Sequence, residues 1–267
     1  MRSVVLTVLV TVLASPLLVA QASPSEQVQV GPPPVRRADP PSPGANTDDL
    51  ENRGDGLRLE KDYLDALDYY RAALAKKRND PVLLNKSGIA ELMMQRYKEA
   101  GKDFDRSIKA NRDYAEAYNN RGVIYYEEKN YGKAINHYQK AIKLQPESAS
   151  YYSNLGAAYF ARKEFEKASD AYTQALQLDP DIFDRVSRAG VSAQLSSPED
   201  RAHFDFVIAR LYAKAGDLDR SLQSLKRAME EGYKGIEDVY KEQEFTALRK
   251  DPRFAQLMTD RPPAIPE

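Results

Sequence analysis

Four glycines, Gly54, Gly88, Gly122 and Gly156, stand 34 residues apart with no insertion between them. The chain holds 13 glycines in 267 residues, so four in one register by chance has odds on the order of one in 10⁵. Further columns keep the interval. Tyr63, Tyr97, Tyr131 and Phe165 form one, and Ala66, Ala100, Ala134 and Ala168 a second. Tyr70, Phe104, Tyr138 and Tyr172 form a third, and Ala73, Ser107, Ala141 and Ala175 a fourth. A period of this length means that each unit is one supersecondary element, too small to bury its own apolar side and stable only against its neighbours.

The kind of element follows from the spacing inside a unit. Within 115–148, Tyr118, Tyr125, Ile135, Tyr138 and Ile142 recur at helical rather than strand intervals, which predicts two amphipathic helices with a turn at Asn130. A glycine inside a helix costs about 1 kcal/mol against alanine, so its return in every unit requires a packing reason. Gly122 and Ala134 are expected where the two backbones cross, with Tyr131 and Tyr138 filling the wider gaps. Pro146 and Pro180 end the second helices of their units, because proline cannot continue the hydrogen-bond ladder.

Ala115 to Tyr126 and Tyr151 to Phe160 resemble the first helix of the tetratricopeptide repeat (TPR) family, and Tyr131 to Ile142 and Phe165 to Leu176 resemble its second. Units 115–148 and 149–182 match strongly, 81–114 well, and 47–80 weakly, since Asp55 and Gly56 dilute its first helix. The resemblance implies an all-α fold, a right-handed superhelical solenoid of antiparallel helix pairs with four 34-residue units and a divergent fifth. It also implies an inner face, lined by the first helices, that takes a protein or peptide partner.

The flanks are read from composition. Arg2, an apolar run from Val4 to Ala14, Pro16 and the triplet Ala20-Gln21-Ala22 follow the layout of a secretory signal with cleavage after Ala22. The alternative is an uncleaved anchor, against which stand Ser15-Pro16 and a length that barely reaches a membrane span. With cleavage, the folded part is expected in a periplasm or secreted; an anchored form would stay on the membrane. Residues 23–46 are rich in proline with little apolar bulk, which predicts a disordered tether. After 182 the register slips: an irregular connector with a short helix is expected at 183–200 and a divergent helix pair at 201–234. Capping helices are expected at 235–260, resembling the closing segment of many bacterial TPR proteins, and a frayed tail at 261–267.

Chemistry is constrained by what is missing. The chain lacks cysteine, which removes disulfides, thiolate metal sites and thiol nucleophiles. Its 39 basic and 40 acidic residues nearly cancel, so no electrostatic track for nucleic acid is expected. No phosphate loop, nucleophile elbow or dinucleotide turn is present, and no metal or cofactor is expected. His137 and His203 read as surface residues, and the carboxylates as solvated helix faces. The expectation is a monomeric binding scaffold that is not an enzyme. Two other readings stay open: a self-assembling envelope module, and an enzyme with a site in the divergent 181–198 stretch.

The resemblance carries the family's inner-face positions onto Asn85, Ile89 and Met93 in one unit, Glu116, Asn119, Asn120, Val123, Tyr126 and Glu127 in the next, and Ser153, Asn154, Ala157 and Phe160 in the third. Asn120 and Asn154, 34 apart, form rungs that either pair with the backbone of an extended peptide or tie adjacent units together. Tyr126 and Phe160 form a second pair, either an aromatic floor for a partner or buried between helices. Asn85, Ile89, Ser150 and Asn154 stand where chaperone-binding relatives place the clamp that holds an acidic chain end. That clamp needs lysine and arginine beside its asparagines, so recognition of an acidic tail is not expected.

Overall fold

The computed structural model describes residues 38–186 and 197–263. The signal segment, the tether up to residue 37, connector residues 187–196 and the last four residues lie outside the described residues. Everything described is helix, turn or loop, and no strand occurs among the described residues.

Eight helices form four antiparallel pairs: α1 (Thr47–Leu59) with α2 (Tyr63–Lys76), α3 (Pro81–Met93) with α4 (Tyr97–Ala110), α5 (Ala115–Glu127) with α6 (Tyr131–Leu144), and α7 (Ala149–Ala161) with α8 (Phe165–Leu178). The glycine columns have a geometric cause. A Cβ on Gly54, Gly88 or Gly122 would sit 2.7, 2.6 or 2.6 Å from a ring carbon of Tyr70, Phe104 or Tyr138, and Gly156 lies closer still to Tyr172. Those four rings are essentially fully buried. The ring of the second helix therefore presses flat on the backbone of the first, and any side chain there would displace it.

Each pair turns through a left-handed residue at the end of its first helix: Lys61, Gln95, Lys129 and Lys163, with φ of 67, 59, 57 and 62°. In each turn the following amide reaches back to close the helix, as in Asn130 N to Tyr125 O at 2.8 Å and Glu164 N to Tyr159 O at 3.0 Å. Glycine is the usual residue at such a cap. Its absence at these four positions is why the sequence marks the turn at Asn130 and gives no sign of the left-handed residue before it.

The proline-rich stretch meets the fold before residue 47. Tyr69 donates its hydroxyl to Asp39 O at 3.1 Å, Lys76 Nζ reaches Pro43 O at 3.4 Å, and Ala38 and Ala45 pack on the apolar cluster of the first pair. Prolines lack an N–H but keep their carbonyls, and α2 supplies donors to this run. Residues 38–46 of the expected tether therefore pack on the first helix pair, and the remainder of that stretch lies outside the described residues.

Beyond α9 (Ile182–Val186), α10 (Pro198–Ala215) and α11 (Leu218–Glu230) form a further pair. Its internal packing follows the same positions. Ala209 stands where the glycine would be and Leu225 where the ring would be, both fully buried, and Ser221 Oγ donates to Ala209 O at 2.8 Å. Its turn uses Gly216 at φ 84°. The way it docks is different. His203 near the start of α10 lies 4.3 Å, ring to ring, from Phe165 at the start of α8, Arg210 reaches Ser169 at 3.4 Å, and Arg220 binds Pro180 O beyond the end of α8 at 2.8 Å. So α10 runs parallel to α8 and opposite to α7, whereas the first helices of the four regular units run alongside one another.

The expected capping helices are mostly 3-10 turns, Ile236–Tyr240, Gln243–Thr246 and Leu248–Lys250, followed by one short α-helix, α12 (Pro252–Thr259). Ile236 and Val239, and again Phe245 and Leu248, are buried pairs three residues apart. That interval places both on one side of a 3-10 helix. With Phe254 and Met258 they close over Phe206, Leu225 and Met229.

Candidate functional site

The asparagines of the inner helices are hydrogen-bonded to one another. Asn120 Nδ2 donates to Asn85 Oδ1 at 2.9 Å, and Asn154 Nδ2 donates to Asn119 Oδ1 at 2.9 Å, each across 35 residues. Of the two roles open to these amides, tying neighbouring units is therefore occupied. The same rung between the first two units is an ion pair, Lys86 to Glu51 at 2.6 Å, with Asp55 also at 2.6 Å from the same ammonium. Residue types differ, yet the position is constant: the fifth residue of one first helix meets the sixth of the next. The ladder stops at Ser153, which is buried with a hydroxyl that has no hydrogen-bond partner among the described residues.

These rungs orient the helices. At about 100° per residue, the second, ninth and thirteenth residues of each first helix fall between the two rung positions and face the groove. In the third unit these are Glu116, Val123 and Glu127, and in the second Val82, Ile89 and Met93. Met93 is 52% exposed, and its counterpart in the first unit, Leu59, is 76% exposed. Leu59 was legible as the residue 34 before Met93, but the weak match of the first unit hid it.

Six of the expected inner-face residues are buried: Asn85, Asn119, Tyr126, Ser153, Ala157 and Phe160. Tyr126 and Phe160 are not an aromatic floor. Tyr126 packs 5.3 Å from Tyr131. Phe160 lies 5.1 Å from Phe165, 5.4 Å from His203 and 6.0 Å from Phe204. The cause is the reversed docking of α10, which brings Phe204, Val207 and Ile208 into one cluster with Tyr126, Ala157 and Phe160. Asn120, Asn154, Ile89, Val123 and Glu127 stay half-buried, and Met93 and Glu116 exposed. The open part of the inner face therefore runs over α1, α3 and α5.

Neither histidine is a free surface residue. His137 packs 4.9 Å from Tyr125, and its Nδ1 lies 3.0 Å from Lys133 O. His203 stacks on Tyr233 at 5.4 Å. Burial pushes both imidazoles below their ordinary range. Burial raises Asp205, partly countered by Arg227 at 3.0 Å, an ion pair that joins α10 to α11. A cavity of about 430 Å³ lies between α8, α10 and α11, lined by Leu176, Pro180, Leu211 and Tyr212. The carboxylate on its wall, Asp217, is engaged by Arg220 at 3.6 Å. No cluster of potential metal ligands occurs among the described residues, and no described helix is long and apolar enough to cross a membrane.

Comparison with known families matches three repeat models: a tetratricopeptide repeat at residues 85–141, a TPR repeat at 122–162 and a tetratricopeptide repeat at 149–182. No curated protein matches the chain. Among solved structures, a thermophilic TPR protein of Thermus thermophilus, TTC0263, is similar at 20% identity and a TM-score of 0.50, over 80% of this chain and 99% of that one. MamA from Desulfovibrio magneticus RS-1, residues 41 to the end, aligns at 22% identity and a TM-score of 0.49, over 71% and 96%. The second TPR domain of human RPAP3, solved with an HSP70 peptide, aligns at 23% identity and a TM-score of 0.41, over 44% and 98%.

Proposed function

Because the chain belongs to the tetratricopeptide repeat family, whose repeats are in general non-enzymatic protein-interaction modules, we propose that it is an exported scaffold that holds a protein or peptide partner. The partner lies in the groove of α1, α3 and α5. The observation that carries this reading is the contrast between engaged and open side chains. The ladder residues are occupied in holding the stack, while Leu59 and Met93 beside them stay exposed. Covered ends weigh against the rival reading of a self-stacking module. The first pair is overlaid by residues 38–45 and the last by the 3-10 turns and α12, which supports the monomeric reading.

Export rests on the amino-terminal pattern that ends at Ala22. Mass spectrometry of the mature amino terminus is expected to find Ser23 first; an intact Met1 would mean an anchor. The groove is tested by crosslinking capture with Met93→Ala, Val123→Ala and Glu127→Ala combined, which leaves the asparagine ladder untouched. Loss of the partner from the variant is expected, and an unchanged partner list would refute the groove.

A further inference from the structure

The chemistry of the groove narrows what fills it. Across the four regular units the second, ninth and thirteenth residues of the first helices include four carboxylates, Asp48, Asp55, Glu116 and Glu127, and no lysine or arginine. Two of these are answered within the chain. Asp55 has Lys86 at 2.6 Å, and Asp48 has a loose, exposed pair with Lys77 at 3.6 Å. Among the described residues, the two on α5 have no cation within ion-pair distance. Glu116 accepts hydrogen bonds from Tyr114 at 2.8 Å and, more weakly, from Asn85 at 3.4 Å. No hydrogen bond or ion pair reaches Glu127 among the described residues. It is half-buried at the carboxyl end of its helix, where the unsatisfied carbonyls of the last turn add to the negative potential. Burial alone raises its carboxyl. The same carboxylate, after burial, raises the phenol of Tyr97 on the neighbouring α4.

Between and beside these carboxylates the surface is apolar. Val123 lies on α5 between Glu116 and Glu127, and Ile89, Met93 and Leu59 continue the surface into the preceding units. A half-buried carboxylate without a counter-ion disfavours its own burial, and a cation brought by a partner removes that cost while apolar neighbours exclude water from the pair. An anionic partner would meet repulsion at both ends of α5.

We propose that the occupant of the groove is a cationic, apolar protein segment, with a lysine or arginine seated on Glu127, a second on Glu116, and aliphatic side chains on Val123, Met93 and Leu59. This rests on the groove reading given above and adds the partner's chemistry. It is the opposite polarity from an acidic chain end.

The test uses the full folded chain and fluorescently labelled short peptides of alternating Leu-Lys, Leu-Gln and Leu-Glu, read by anisotropy. The Leu-Lys peptide is expected to bind and the Leu-Glu peptide to show no binding. Glu127→Gln weakens the Leu-Lys peptide by about tenfold and Glu116→Gln by a smaller factor. Glu166→Gln, an exposed carboxylate on α8 outside the groove, leaves it unchanged. Absence of Leu-Lys binding, equal binding of the Leu-Glu peptide, or indifference to Glu127→Gln would each overturn the cationic assignment. Val123→Arg, checked for an unchanged melting curve, fills the groove itself. If partner capture survives Val123→Arg, the groove reading fails. If capture is lost there but is untouched by Glu127→Gln, only the partner's charge was misjudged.

Discussion

The four regular units and the α10–α11 pair obey one rule inside a pair and two different rules between pairs. Within each, a small residue on the first helix faces a large one on the second: Gly122 with Tyr138 in the stack, Ala209 with Leu225 at the end. Leucine in place of an aromatic ring leaves room for the methyl that the stack forbids. Between pairs, the stack joins units by polar rungs from first helix to first helix, while α10 approaches α7 in the opposite direction and meets it with Phe204, Val207 and Ile208. Pairing is therefore a local property of about 34 residues, and stacking direction is not. A polar ladder requires matching registers and continues only while helices run the same way; an apolar contact tolerates either direction.

The comparison can be broken most severely at the junction. Tyr172 is fully buried and its ring touches Phe183 at 5.3 Å and Phe204 at 5.6 Å. Tyr172→Ala is expected to cost about 3–5 kcal/mol and to loosen both regions. Leu225→Ala, at about 2–5 kcal/mol, is expected to loosen α10–α12 first. Hydrogen exchange resolved by segment checks this; equal loss of protection throughout the chain in both variants would show that the two regions are one cooperative body.

The rungs sharpen the contrast at a smaller scale. Asn120→Ala leaves the buried Asn85 carbonyl oxygen without its donor at 2.9 Å and is expected to cost about 1–3 kcal/mol. Ser153→Ala removes a buried hydroxyl that has no hydrogen-bond partner among the described residues, so its expected cost is near zero, with a slight gain equally consistent. Urea midpoints of the two variants decide it, and equal losses would mean that the ladder does not end at Ser153.

The smallest effect concerns pH. His137 in the stack and His203 at the junction both have imidazoles lowered by burial from the ordinary 6.5. As pH falls through that value the unfolded chain takes up protons that the folded chain refuses, so each contributes stability above 6.5 that is lost on acidification. His203→Phe is expected to flatten the acid limb of the melting curve, with fraying of α10 as its first sign; His137→Phe should act within the third unit. A melting temperature equally sensitive to pH in both variants and the parent would refute the assignment.

Much of the fold was legible because the columns report local contacts. The glycine, alanine and aromatic positions each answer to a partner in the same helix pair, so their types recur wherever the pair recurs. The 3-10 closing segment was less legible, since its buried residues are spaced by three over runs too short to show a period. The left-handed turn residues were invisible because lysine and glutamine occupy a place normally marked by glycine. For the asparagine pair and the aromatic pair the sequence leaves two roles open, and the packing decides between them. Asn119 and Asn154 were correctly placed on the first helices, but their amides serve each other. Tyr126 and Phe160 were placed on the inner side, and what α10 brings to them decides that they are core.

The sequence by itself determined the unit of this protein, a helix pair closed by a ring on a glycine, and the number of times that unit repeats in register. Tertiary structure alone decided which way the fifth pair docks, where the ladder ends and which inner side chains remain exposed. The physical reason is range. A ring and its glycine are separated by one turn of chain and constrain each other's identity directly. The exposure of Phe160 or Glu127 depends on whichever surface arrives from another pair, and no periodic pattern in the residues themselves records that arrival.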